Sequence, residues 1–118
     1  MAGFSNSYMT MAGQSLVLAA AQTDNVVITS SIIVVTPQND GDEITGAYPA
    51  VFAPGLLFIV NIHPTKSIVL PYDDAGSEAG YRWLNVLGHA LTIGPGETSV
   101  FAFVPNLGWE FLKFSILT

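Results

Sequence analysis

Residues 85–111, NVLGHALTIGPGETSVFAFVPNLGWEF, decide the fold class. They read as strand, Gly88-His89 turn, strand, Pro95-Gly96-Glu97 turn, strand, short loop and a strand bearing Trp109. Short turn signals between apolar runs rich in β-formers spell a β-meander. Gly88 at the first loop position suits a type II′ hairpin turn pairing 81–87 with 90–93. Pro95 followed by Gly96 has the order of a type II turn. From Thr98 to Val104, Val100, Ala102 and Val104 alternate with Phe101 and Phe103, as on the two faces of a strand.

Reading outward, VVITSSIIVVT (26–36) is dense in β-branched residues, with Ser30-Ser31 as its bend. Pro37 ends it, and a polar loop with at most a short strand runs to Pro49. Leu56–Ile62 is apolar at both alternating sets of positions, which predicts a strand covered on both faces. A turn at His63-Pro64-Thr65 leads into 67–71, and 73–80 is a second polar loop. Trp109–Leu117 supplies the final strand. About eight strands with turn signals every eight to twelve residues predict an all-β domain, a single antiparallel β-sandwich, jelly-roll-like or barrel. No internal repeat is visible. Residues 1–24 carry three Met and no charge before Asp24. They read as an extended N-terminal arm on a β-domain spanning 25–118, with Phe4, Tyr8, Met9, Met11 and Leu16 as its partner-binding side chains.

Charge is the anomaly of composition. Only 10% of the 118 residues are Asp, Glu, Lys or Arg, against roughly 25% in an average soluble domain. Half are hydrophobic. A chain of this size leaves much weakly polar surface exposed as a monomer, so self-association is expected. The net charge is −6, with Lys66, Arg82 and Lys113 the three cations. No Lys/Arg cluster exists to neutralise phosphates or to hold an anionic membrane, so neither nucleic acid nor membrane is an expected partner. No cysteine is present, which removes disulfides, thiolate nucleophiles and Cys-ligated metals. No apolar run reaches the roughly 18–20 residues of a membrane helix. The first residues lack the basic start of a secretory signal, so synthesis in the cytosol is expected.

The chemistry-bearing residues are few. Asp40, Asp42 and Glu43 share one loop and Asp73, Asp74 and Glu78 the other. Calcium takes six to eight oxygens, but NDGDE does not have the EF-hand spacing, and solvated loop charge is the simpler reading. Two carboxylates across a cleft would suit a glycosidase, yet nothing else in the chain supports one. His63 and His89 sit at turns with no third ligand at zinc spacing. No Gly-x-Ser-x-Gly elbow presents a nucleophile, and Gly94-Pro95-Gly96 is followed by neither the helix nor the Lys of a phosphate loop. No catalytic residue, metal or cofactor is expected. Tyr48, Tyr72, Tyr81, Trp83 and Trp109 could stack on sugar rings or pack in the core, the first four lying near loops 38–48 and 72–80.

The succession of turns also carries a resemblance. Gly55, Asn61, Gly88, Pro95-Gly96-Glu97-Thr98 and Gly108-Trp109 mark a chain order that resembles small β-domains of tailed-bacteriophage virions, found in head decoration (cement) proteins and in tail fibres and spikes. The likeness covers about residues 26–112 and consists mostly of turn positions. For a chain of this length it implies a structural protein of the phage capsid surface, commonly trimeric, bound to the major capsid protein and gripping the shell through an N-terminal arm. The alternative it implies is a tail-fibre tip or a carbohydrate-reading receptor-binding domain.

Overall fold

The computed structural model describes residues 13–49, 55–85 and 87–113. Their β-branched runs are short because Ser, Pro and Gly break them every few residues, and each break turns the chain onto a new face. Eleven strands result among the described residues: β1 (Gln14–Val17), β2 (Gln22–Thr23), β3 (Val26–Ile28), β4 (Ile32–Thr36), β5 (Asp42–Ile44), β6 (Ala47–Pro49), β7 (Leu56–Asn61), β8 (Ile68–Leu70), β9 (Leu91–Ile93), β10 (Thr98–Val104) and β11 (Gly108–Lys113). The described residues include no α-helix, only one 3₁₀ turn at Ala79–Tyr81.

The strands form three sheets, ordered β1-β4-β7-β10-β11, β2-β5-β8-β9 and β3-β6. Every third strand returns to the same sheet. β1, β4 and β7 are parallel to one another, as are β2, β5 and β8, and β3 with β6. The chain therefore winds as a solenoid, with one coil in β1–β3, a second in β4–β6 and a third begun by β7 and β8. It then reverses. β9 runs antiparallel to β8, β10 antiparallel to β7, and β11 folds back on β10.

The all-β class agrees with the sequence, but the expected antiparallel sandwich or barrel does not. Five of the eight strand pairings are parallel, and the sheets do not close into a barrel. The expected Gly88-His89 hairpin is also replaced. β9 pairs with β8 and not with the segment before the turn. Asn85 holds that loop instead, its Oδ1 accepting the Leu87 and Gly88 N–H groups (2.8 and 3.1 Å) while its Nδ2 donates to the His89 carbonyl (3.1 Å). A short polar side chain thereby satisfies backbone groups that a hairpin ladder would otherwise take. The Pro95-Gly96 turn forms as expected, with Gly96 at φ 74° and the Glu97 N–H donating to Gly94 O at 3.1 Å.

The sheets enclose one core. Ile33, Val35, Leu57, Ile59 and Phe101 enter from the first sheet, Ile44, Ile68, Leu70 and Ile93 from the second, and Val26, Ile28 and Ala47 from the third. The three-residue strands β3, β8 and β9 point their first and last side chains inward, so each contributes two apolar groups. β7 lies between β4 and β10, with Leu57, Ile59 and Asn61 buried and the alternate side chains half-buried. Part of the expected arm is built into this stack. Residues 14–17 and 22–23 are β1 and β2, Leu18 is buried, and Leu16 packs on the core edge. Phe4, Tyr8, Met9 and Met11 lie outside the described residues.

Candidate functional site

β3 and β6 turn their middle residues outward, and their register sets Val27 beside Tyr48. The 3₁₀ turn ends on Tyr81, whose ring meets that of Tyr48 edge to face at 4.9 Å between centroids. On its other side Tyr81 runs parallel to Phe103 of β10, 6.1 Å away at 6°. These three rings, from three separate parts of the chain, make one aromatic strip. Phe103 rests on Trp109 at 4.7 Å, and Trp109 is fully buried with its indole N–H donated to Ala47 O at 2.9 Å. The strip therefore stands on a fixed inner layer.

Two open hollows adjoin it. One, of about 310 Å³, is lined by Asn25, Val27, Tyr48, Glu78 and Tyr81. The other, of about 340 Å³, is lined by Gly80, Tyr81, Phe103, Pro105 and Asn106. Tyr81 is common to both. Asn25 and Asn106 both hold left-handed backbones, at φ 45° and 70°, a region that Asn tolerates better than most residues. Asn25 is fixed further, its Oδ1 accepting the Glu78 N–H at 2.9 Å and its own N–H donating to Ser77 Oγ at 2.8 Å. Asn106 is the third residue of the turn that joins β10 to β11, closed by the Leu107 N–H on Val104 O at 3.0 Å.

A polar seam beneath Asn25 ties successive coils together. Thr45 Oγ1 donates to Asp24 Oδ1 at 2.6 Å and lies 2.7 Å from Ser77 Oγ. Gln22 Nε2 also donates to Asp24 Oδ1, at 2.9 Å. The Thr45 hydroxyl foremost, then the Gln22 amide, hold the Asp24 carboxyl below the usual carboxylate range. Arg82 is engaged nearby, its Nε donating to Ser77 O at 2.8 Å and its guanidinium pairing with Asp73 at 3.2 Å.

Of the five aromatics singled out in the sequence, Tyr48 and Tyr81 come together, while Trp109 is buried beneath the strip and cannot stack on a ligand. Tyr72 is exposed but lies off the strip, bridged through its backbone to Trp83. Trp83 is fully buried, with its indole N–H on Ile44 O at 2.7 Å, and cannot stack on a ligand. Phe103, Asn25 and Asn106 were not singled out for binding. The alternation of 98–104 identifies Phe103 as a strand residue without showing which face is wet. The acidic residues stay apart: Asp42 is buried, its Oδ2 accepting the Gln38 and Asn39 N–H groups, both at 2.8 Å. Among the described residues no three His, Asp or Glu side chains converge as a metal site, and no helix is long and apolar enough to cross a membrane. Compared with models of known families, with curated proteins and with solved structures, the chain matches none.

Proposed function

We propose that this chain is a non-enzymatic structural protein of a phage virion, a decoration (cement) protein that binds the outer surface of the head as a homo-oligomer, a trimer in keeping with the resemblance. The observation that supports the reading is the open first coil. β1, β2 and β3 each stand at the end of a sheet, and residues 13–23, GQSLVLAAAQT, contain no charge. Natural sheet edges are usually guarded by Lys, Pro or bulges, since an unguarded edge recruits another chain, and a solenoid end needs a polar cap to stay soluble alone. Among the described residues this end shows no Lys, Pro or charged cap, and Val17 of β1 is 70% exposed. An edge of this kind suits lasting attachment to the major capsid protein. Many such contacts around a shell sum to a large resistance even where each is weak.

The test is co-sedimentation with expanded, undecorated heads, alongside solution mass by light scattering. Wild type is expected to pellet with heads. Val17→Lys, on the outer side of the open edge, is expected to lose binding about tenfold, the scale of one repelled edge contact, with its melting temperature unchanged. A wild-type protein that stays monomeric and ignores heads would sink the reading, and capture by isolated tails would move the protein to a fibre tip.

A further inference from the structure

We propose that the Tyr48–Tyr81–Phe103 strip is a binding site for a neutral oligosaccharide, with one sugar ring seated in each hollow on either side of Tyr81. Shell attachment uses the uncharged stretch 13–23 of the first coil, whereas this site draws only Asn25 and Val27 from that coil, so Val17→Lys and Tyr81→Ala test the two ideas separately.

Three observations converge on this ligand. First, the three rings touch in succession, Tyr48 exposed and Tyr81 and Phe103 half-buried, and the apolar C–H faces of pyranoses pack on aromatic faces. The strip is held from below by Trp109 and Ala47, so little side-chain freedom is lost on binding. Second, the hollows measure about 310 and 340 Å³, at the small end of the range of about 300–1,000 Å³ typical of ligand pockets. Each suits a single ring, and together they suit a linked pair. Third, the polar groups at the rim are those that read hydroxyls. Asn25 has its Oδ1 committed to the Glu78 N–H, which leaves its NH₂ as a donor. The Glu78 carboxylate accepts, and Asn106 lines the far hollow.

The same rim excludes other occupants. Neither hollow is lined by Lys or Arg, and Arg82 is taken up by Ser77 and Asp73, so a sialylated or sulfated sugar would face Glu78 with no counter-charge. An apolar peptide would cover Asn25, Glu78 and Asn106 without replacing their hydrogen bonds to water.

The test uses the intact protein. A glycan array selects candidates, and ¹⁵N–¹H spectra are then recorded with the neutral trisaccharides maltotriose, cellotriose and tri-N-acetylchitotriose, and with 3′-sialyllactose. At least one neutral glycan is expected to give saturable shifts at Asn25, Tyr48, Glu78, Tyr81, Phe103 and Asn106, with a Kd near or below about 1 mM. It should bind more tightly than its monosaccharide. Tyr81→Ala, which removes the ring shared by both hollows, is expected to weaken binding about tenfold or more. Tyr81→Phe should retain it and Tyr72→Ala should leave it unchanged. Should Tyr81→Ala prove unstable, Tyr48→Ala reads the same loss from one hollow. Three results would each overturn the proposal: no saturable shift with any neutral glycan, binding of the sialylated sugar alone, or shifts at these residues that follow protein concentration without sugar, which would make the strip a contact between copies.

Discussion

Asn61 is the residue on which the turn end of the stack depends. Its side chain is fully buried, with Nδ2 directed at the carbonyls of Lys66, Ile93 and Gly94 (2.8, 3.1 and 3.1 Å) and Oδ1 accepting the His63 N–H at 2.9 Å. Its backbone takes part as well, donating to Glu97 O and accepting from Gly96 N–H, both at 2.9 Å. One amide thus joins β7, the loop after it, β9 and the Pro95-Gly96 turn. Asn61→Ala would leave several buried carbonyls without donors, and is expected to cost about 3 kcal/mol, read as a lower urea midpoint with an unchanged slope. The sequence marks Asn61 as a strand end within a turn pattern. Its role was not legible, because two of its three acceptors are more than thirty residues away. Trp83 shows the converse failure. Between Arg82 and Leu84 no alternation tells inside from outside, so a core indole looks the same as a ligand platform.

Among the elements, those built from local contacts were legible and those built from returning coils were not. β10 rests on its run of β-forming residues and the Pro95-Gly96 turn on the φ preferences of Pro and Gly, which neighbouring residues reveal; the expected alternation along 98–104 does not hold, since Ser99, Val100 and Phe101 are buried in succession beside a register shift. The parallel ladders rest on spacing. Gln14 lies opposite Ile33 and Ile33 opposite Ile59, separations of 19 and then 26 residues, so no fixed period survives for the eye to find. Two of the strip's three rings were legible for a similar reason: Tyr48 and Tyr81 stand out by type at loops, whereas Phe103 is disguised by its strand. The corner between β5 and β6 shows how tightly coils stack. A Cβ on Gly46 would collide with the Tyr81 carbonyl oxygen and the Ser77 side chain, whereas one on Gly80 would meet open space. Gly46→Ala is therefore expected to destabilise by about 2 kcal/mol and Gly80→Ala to be nearly neutral, as thermal melts of the two variants will show.

For the molecule as a whole, acid is expected to loosen the join between coils. The folded Asp24 carboxyl is held below its ordinary value by Thr45 and Gln22. The unfolded chain therefore binds the proton more readily, and the stability this group contributes is present above the usual Asp pKa of about 3.9. It is lost as pH falls through the lower, folded value. Melting temperatures measured between neutral and strongly acid pH should decline below about pH 4, and Asp24→Asn should make that decline shallower. A variant with the wild-type acid slope would show that Asp24 has no part in it. The two buried indoles carry a further consequence, for the making of the protein. Trp83 and Trp109 donate to carbonyls of Ile44 and Ala47, both in the second coil. A ribosome delivers both coils long before it delivers Trp109. Until then the nascent solenoid carries carbonyls awaiting their donors and apolar flanks awaiting their cover, so translation itself passes through a sticky interval that ends only when the second indole emerges.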